Sequence, residues 1–180
     1  KTKLKNDISK GLIIPLPEKN QVEQFEVLCA FLKKHGFEHY EVSNFAKNKT
    51  YSKHNTAYWK RQQYLGIGPS AHSFDGEKRR WNIANNHAYM SKDGGEKPWY
   101  NEEILDSNAV WNELFLTGLR TMWGVSKKQV SSLGGLRVNE KKEIEGLRKK
   151  GFLLENKNAF ILSKEGMLFA DGISESFFRL

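Results

Sequence analysis

The sequence predicts an α/β region followed by a small α+β domain. Two observations lead to this prediction. A helix pattern, a glycine and a strand pattern follow one another over residues 22–45, whereas helices and one hairpin pattern fill the later part of the chain. Residues 91–101, "SKDGGEKPWYN", lie between the two regions and read as a linker rich in glycine. A chain of 180 residues is long enough for one domain or two small ones.

The first region begins with a predicted loop over residues 1–20, because the two prolines of "IIPLPEKN" bias their predecessors away from helix. A helix follows, since apolar residues recur at helical spacing from Val22 to Leu32 and Gly36 supplies a stop. The segment "FEHYEVSNF" then alternates as a strand does. This helix and strand together are typical of an α/β layer or barrel.

A second apolar run, "QYLGIGPSAHSF", is broken by glycines and is followed by "RRWNIAN" as a hairpin partner. Gly66 and Gly68 have the spacing of a partial glycine-rich loop, but Pro69 removes a donor and no helical pattern follows directly. A phosphate cradle needs successive backbone N–H groups at a helix start. The run therefore favours a strand end or tight turn, with close approach of a ligand to the two glycines left open.

The second region begins with a long predicted helix, "DSNAVWNELFLTGLRTMW", whose apolar stripe extends from Val110 to Trp123. Two shorter helices follow, "SKKQVSSL" and "NEKKEIEGLRKK", the second with an Asn139 cap and a stop at Gly151. The segment "FLLENKNAFILSKEG" predicts a hairpin and then a last helix, capped by Ser163, that runs to residue 178. Three helices followed by a hairpin occur in this order in a winged-helix domain. The predicted domains are therefore residues 1–92 and residues 100–180.

Composition excludes several classes of protein. No apolar run approaches the roughly 20 residues of a membrane span, and the opening "KTKLKND" lacks the apolar stretch of a secretory signal, so the expected location is the cytoplasm. Cys29 is the only cysteine, which excludes an internal disulfide and a cysteine-held metal cluster built from this chain alone. Because the chain starts with Lys on a polar stretch, we expect it to be a fragment of a longer protein.

Positive charge is concentrated in the first region. Residues 1–99 hold 17 Lys and Arg against 10 Asp and Glu, whereas residues 100–180 hold 12 against 11. No acid occurs between Glu41 and Asp75, and five basic residues fall in that gap. Such a field attracts phosphates, nucleic acids or the carboxylates of a small molecule.

A winged helix often binds DNA through its recognition helix. The near-neutral second region argues against this use, because its candidate recognition helix "NEKKEIEGLRKK" carries three glutamates among its lysines. We therefore expect no nucleic-acid partner and a structural or lid role for this domain.

His54 is the histidine whose surroundings best fit a ligand site. It lies in a polar segment with Asn55, next to Tyr58 and Trp59, inside the acid-free basic stretch. A neutral imidazole there could bind a metal or a heme iron, and an aromatic ring could stack on a flat ligand. Chemistry alone leaves a core histidine as the alternative.

The same residues resemble a known family. The segments "YEVSNFA", "HNTAYW" and "YLGIGPSAHS" occur in the order seen in the HemW family, and "LFLTGLRTMWGV" with "LSKEGMLFAD" resembles its C-terminal domain. These are radical S-adenosylmethionine (SAM) proteins related to oxygen-independent coproporphyrinogen III oxidases. The resemblance implies that the first region is the C-terminal end of a radical SAM partial α/β barrel, followed by the winged-helix-like domain.

The resemblance also implies a function and a set of ligands. It implies a cytoplasmic heme chaperone that binds heme and passes it to an acceptor protein. The resemblance does not identify the acceptor, and membrane-associated proteins are among the candidates. The "HNxxYW" motif of the family carries over to His54, Asn55, Tyr58 and Trp59, with His54 as the iron ligand.

Two further cofactors are implied for the whole protein, a 4Fe-4S cluster and S-adenosylmethionine. Ala46 matches a position beside S-adenosylmethionine, and Gly66 and Gly68 are placed near the same cofactor. The cluster motif Cys-x-x-x-Cys-x-x-Cys is missing, so this chain alone is not expected to be catalytic. The alternative function is that of an oxygen-independent coproporphyrinogen III oxidase, in which the basic stretch would hold substrate carboxylates.

Overall fold

A computed structural model describes residues 2–90 and 99–180. The elements before the gap are α1 (Lys3–Ser9), α2 (Glu18–Lys34), β1 (Phe37–Glu41), β2 (Asn44–Lys47), α3 (Lys53–Trp59), β3 (His72–Phe74), β4 (Lys78–Asn82) and α4 (Asn86–Met90). Those after it are β5 (Tyr100–Ile104), α5 (Ser107–Gly118), β6 (Val125–Ser126), α6 (Lys127–Ser132), α7 (Val138–Lys149), β7 (Leu153–Glu155), β8 (Ala159–Leu162), α8 (Lys164–Met167) and α9 (Ala170–Glu175).

The N-terminal loop prediction is wrong for residues 3–9, which form α1. The Thr2 hydroxyl accepts a hydrogen bond from the backbone N–H of Lys5 at 3.3 Å and so caps this short helix. The predicted loop is confined to residues 10–17, between α1 and α2, where both prolines lie. Helix α2 confirms the helical spacing predicted before Gly36, whose φ of +79° ends the helix.

The segment predicted as one strand over residues 37–45 is instead a hairpin of β1 and β2. The Glu41 carboxylate causes the reversal, because it accepts hydrogen bonds from the backbone N–H of Ser43 at 2.9 Å and from the Asn44 amide at 2.6 Å. Helix α2 packs on β1, where the rings of Phe25 and His39 lie 5.8 Å apart.

A second sheet contains β3, β4 and β5 in that order. The predicted hairpin partner "RRWNIAN" is confirmed, since β4 pairs with β3 through His72 opposite Trp81. Strand β5 also pairs with β4, so this sheet continues to Ile104, past the predicted domain limit. Most of the predicted linker, residues 91–98, lies outside the described residues, and the domain limits stay a prediction.

The last 74 residues have the winged-helix order of α5, β6, α6, α7, β7 and β8, with the strands arranged β6-β8-β7. One apolar core unites these elements and contains the predicted stripe of α5 up to Leu119, although the helix ends at Gly118 rather than at Trp123. The buried side chains of that core are Trp111, Leu114, Phe115, Leu119, Val125, Val130, Ile144, Leu147, Leu153, Phe160, Leu162, Met167, Ala170, Ile173 and Phe177.

Two predictions for the second region are wrong in detail. Helix α7 is capped at Arg137 rather than Asn139, because Glu140 reaches back and accepts a hydrogen bond from the Arg137 backbone N–H at 2.6 Å. The last helix is two short helices, α8 and α9, that are separated at Leu168 and Phe169. The Ser163 cap is confirmed, since its hydroxyl accepts from the Gly166 N–H at 3.0 Å.

The two regions join at the free edge of β1. The backbone N–H of Val42 donates to the Arg120 carbonyl, and the N–H of Met122 donates to the Tyr40 carbonyl, both at 3.0 Å. Within the described ranges all strand pairs are antiparallel and no closed barrel forms. The residues 120–122 that follow α5 therefore extend the β1–β2 hairpin and hold it against the winged-helix-like domain.

Candidate functional site

The predicted ligand motif forms a short helix that the sequence analysis missed. Ser52 caps α3, because its hydroxyl accepts a hydrogen bond from the Asn55 backbone N–H at 3.2 Å. The helix ends where Arg61 adopts a φ of +52°. Ser52, three residues before Asn55, was the sequence signal that could have revealed this helix.

Helix α3 divides the four motif residues between two faces, since residues four apart share a face of a helix. His54 and Tyr58 are on the open face, where the Tyr58 side chain is 40% exposed. Their rings lie 4.7 Å apart at an interplanar angle of 85°. Asn55 and Trp59 are half-buried on the other face, and the Trp59 ring lies 5.9 Å from the ring of Tyr40.

A line of rings connects the open face of α3 to the β3–β5 sheet. The ring of Tyr58 lies 4.4 Å from that of Tyr64, which lies 6.2 Å from Phe74. Tyr64 and Phe74 also exchange two backbone hydrogen bonds of 2.9 Å. The loop that follows Tyr64 presents Leu65 and Ile67 to solvent, with exposures of 80% and 84%. The predicted ligand motif and the glycine-containing loop are thus neighbours.

Both glycines of this loop have structural reasons to be glycine. A Cβ on Gly66 would lie 2.0 Å from the His72 carbonyl oxygen, and Gly68 has a φ of +106°. The N–H of Gly66 donates to the Ser73 hydroxyl at 3.0 Å, and that of Gly68 donates to the Tyr89 hydroxyl at 3.1 Å. Because both donors are used within the chain, the loop is a tight turn, as the sequence predicted, rather than a phosphate cradle.

Ala46 is placed apart from these glycines. It is 5% exposed and lies in β2 opposite Glu38, in a different sheet from the one that packs against Gly66. No hydrogen bond within residues 2–90 joins Ala46 to the glycine loop. The placement of all three near S-adenosylmethionine stays a prediction, since the described residues form only part of such a pocket.

A cleft of about 650 Å³ opens beside α3. Its walls are the turn before the helix and the helix face that carries residues 53, 56, 57 and 60. The lining residues are Lys49, Thr50, Tyr51, Lys53, Thr56, Ala57, Lys60 and Gln62. At about 100° per residue, this face lies roughly a third of a turn around the helix from the His54 face. The cleft and the open face therefore adjoin along one side of α3.

Helix α3 is tied to the second region by a carboxylate between two guanidinium groups. Glu113 of α5 accepts hydrogen bonds from Arg61, just after α3, and from Arg79 of β4. The side chains of Arg61 and Glu113 are only 16% and 19% exposed. A charged group this shielded is costly to leave unpaired, so the three residues fix α3 relative to α5 and β4.

The donor set in this part of the protein fits heme iron but not an iron–sulfur cluster. Nowhere in residues 2–90 and 99–180 do three His, Cys, Asp or Glu side chains converge to hold a metal ion. Cys29 is buried, and desolvation raises the pKa of its thiol, which opposes thiolate formation. The exposed His54 imidazole next to an aromatic ring can supply one axial ligand to heme iron.

In the described parts of the chain, no helix is both long and apolar enough to cross a membrane.

The fold defines the class of protein first. The structure of coproporphyrinogen III oxidase (HemN) from Escherichia coli, described as a radical SAM enzyme, matches 91% of this chain with a TM-score of 0.67. The match covers 42% of that structure at 15% sequence identity, so it concerns the fold. This confirms the predicted fold class: the chain has the architecture of part of a radical SAM protein.

Sequence relatives then identify the family. The heme chaperone HemW of Bacillus subtilis is 32% identical over 98% of this chain, and that of Lactococcus lactis is 37% identical over 64% of it. The match covers 48% of the first protein and 30% of the second, so the chain spans about half the length, or less, of these curated relatives. No family model matches the chain. The chain is a homologue of the HemW proteins, which confirms the family predicted from its motifs.

Proposed function

We propose that this chain is the heme-binding part of a cytoplasmic heme chaperone, which holds heme on the open face of α3 and passes it to an acceptor protein. The observation that carries the proposal is the exposed pair of His54 and Tyr58, whose rings lie 4.7 Å apart. The imidazole supplies an axial nitrogen to the iron, and Tyr58 packs against the macrocycle. Relatives named heme chaperone HemW support this reading.

Asn55 and Trp59 contribute to this proposal by orienting α3. Trp59 packs beside Tyr40, and the Tyr40 hydroxyl accepts a hydrogen bond from the Ser52 backbone N–H at 3.2 Å. These contacts fix both the start and the end of the helix, and so they fix the direction in which His54 points. Heme supplies the iron and its redox chemistry when bound, whereas these residues bind and orient it.

Transfer to an acceptor requires that the bound heme remain accessible. A single histidine on a surface helix leaves the opposite side of the iron free for a ligand from another protein. The acceptor is then any protein that offers a stronger axial ligand or an apolar pocket, including one at a membrane. The winged-helix-like domain supports α3 through Glu113, and we propose no nucleic-acid partner for it.

The test is a hemin titration of the whole protein, followed by the Soret band. We expect His54→Ala to shift the band and to weaken hemin binding at least tenfold, whereas His87→Ala, an exposed histidine on α4, leaves both unchanged. An unchanged band and affinity in His54→Ala contradicts the assignment of the iron ligand. Tyr58→Leu, which keeps an apolar side chain, is expected to weaken binding without changing the axial ligand.

A second candidate function is the oxidation of coproporphyrinogen III, which the fold match to that oxidase favours. The described residues supply none of the cysteine ligands that a 4Fe-4S cluster requires, so no step through the cluster is assigned to this chain. Turnover of coproporphyrinogen by the whole protein, with no Soret change in His54→Ala, is the result that favours this second function.

A further inference from the structure

The cleft beside α3 has a charge that the proposed iron ligand does not explain. Lys49, Lys53 and Lys60 all line it, and within the described residues none of the three forms an ion pair. The Glu38 carboxylate accepts a hydrogen bond from the hydroxyl of Tyr51, a lining residue, and the Lys60 ammonium lies over the Trp123 ring. With three lysines and one neighbouring carboxylate, the cleft carries net positive charge next to the His54 face.

Two of these lysines occupy positions at which lysine is unfavourable, one because of its backbone conformation and one because of its place in a helix. Lys49 has a φ of +58° directly after Asn48 at +53°, a left-handed conformation that a lysine adopts at a cost. Lys53 is the first residue of α3, where a positive charge opposes the exposed N–H groups of the first turn. Departures of this kind from local preference are expected where a residue serves binding.

The cleft also contains a polar atom that lacks a partner. The Oγ1 atom of Thr56 is buried and makes no hydrogen bond within the described part of the chain. Thr56 belongs to the helix face that lines the cleft, between Lys53 and Lys60 in the sequence. Three lysines and an unpartnered hydroxyl on this wall match a carboxylate, which accepts several hydrogen bonds at once.

We infer that this cleft binds the carboxylate groups of the same ligand whose iron His54 binds, that is, the propionates of heme. The inference rests on the proposed function, because it assumes that the macrocycle lies on the adjoining His54 face. Lys53 and Lys60 flank the motif of residues 54–59, so they can reach carboxylates at one edge of that macrocycle. The cleft then sets the orientation of heme, whereas His54 sets its coordination.

A thermodynamic cycle tests the inference in the whole protein, by measuring binding affinity while the ligand and the cleft lysines are changed separately and together. One change is made in the ligand, by comparing hemin with its dimethyl ester. The other is made in the protein, by combining Lys49→Gly, Lys53→Gln and Lys60→Met. Lys49→Gly relieves the positive φ, and Lys60→Met keeps an apolar stem beside Trp123, whose ring centroid lies 4.9 Å from the lysine nitrogen. Loss of folding is thus not expected to explain loss of binding.

We expect the unaltered protein to bind hemin on the order of tenfold more tightly than the ester, and the triple variant to bind the two equally. The control combines Lys141→Gln and Lys142→Gln on α7 with Lys157→Gln in the β7–β8 turn, which remove the same charge from exposed positions. This control variant keeps the preference for hemin.

The outcomes separate the two proposals. A triple variant that binds hemin and still prefers it to the ester as strongly as the unaltered protein overturns the cleft assignment but leaves the His54 site in place. If the unaltered protein binds hemin and the ester equally, the cleft assignment is likewise overturned and the His54 site stays in place. Absence of hemin binding in the unaltered protein overturns the His54 site, and the cleft assignment with it.

Discussion

The Glu41 carboxylate receives the Arg120 guanidinium at 3.0 Å across the junction of the two regions. Glu41 is only 3% exposed, and it also closes the β1–β2 turn through Ser43 and Asn44. One side chain therefore shapes the hairpin and attaches it to the residues that follow α5. This relationship explains why a glutamate is buried at the end of a strand.

Glu41→Gln is expected to destabilise the protein by about 1–3 kcal/mol, because it removes the buried charged partner of Arg120, leaves only the exposed Asp171, and keeps the volume of the side chain. The measurement is the free energy of unfolding in urea. Asp171→Asn is the control, since Asp171 also pairs with Arg120 but its side chain is 78% exposed. Equal effects of the two substitutions contradict a special role for Glu41.

Gly66→Ala is expected to destabilise the protein by about 1–3 kcal/mol, because the added Cβ would lie 2.0 Å from a backbone carbonyl oxygen that cannot rotate away. Gly146→Ala on α7 is the matched substitution. Nothing lies within 4 Å of its added Cβ, so it is expected to stabilise the helix by about 1 kcal/mol. Thermal unfolding measures both, and a neutral Gly66→Ala contradicts the close packing of the glycine loop.

The sequence predicted the parts of the fold that are recorded in local patterns. Helices α2 and α5 have long apolar periodicity, and the β7–β8 hairpin has a polar turn, so these elements form where the sequence predicts them, although α5 ends at Gly118 rather than at Trp123. Helices α1 and α3 were missed because each spans seven residues and depends on one capping side chain, Thr2 or Ser52. The pairing of β1 with residues 120–122 joins segments about 80 residues apart, and no local pattern records such a contact.

The candidate site was predictable as a set of residues but not as an arrangement. The motif named His54, Asn55, Tyr58 and Trp59, and only the helical conformation of α3 separates them into an open pair and a half-buried pair. The acid-free stretch was visible in the sequence. Its concentration into one cleft depends on the turn at Lys49 and on the face of α3 that carries residues 53, 56 and 57.

The stability of the second region is expected to fall in acid through Glu140. Burial opposes the charged form of this carboxyl, but hydrogen bonds from Arg179 and from the Arg137 N–H outweigh it and hold its pKa below the usual 4.5. A pKa lowered by folding contributes stability above the unfolded value, and this stability is lost as the pH falls through the lower folded value.

Glu140→Gln is therefore expected to flatten the dependence of unfolding free energy on pH below about 4.5. Chemical unfolding at a series of pH values measures this slope. Glu145→Gln on the exposed face of the same helix is the control, and it is expected to leave the slope unchanged. A slope that persists in Glu140→Gln assigns the acid sensitivity to other carboxyls.

Glu113→Gln tests whether the ion pairs that hold α3 matter for the ligand site. The substitution keeps the shape of the side chain but removes the charge shared by Arg61 and Arg79, so we expect a loss of about 1–3 kcal/mol in stability and a severalfold weaker binding of hemin. Glu103→Gln is the control, because Glu103 pairs with Arg79 alone and is more exposed. Because Glu113 lies on α5 and outside the motif, a change in hemin affinity with an unchanged Soret position shows that it acts by positioning α3. A Glu113→Gln protein that loses stability but binds hemin as tightly as the unaltered protein contradicts that coupling.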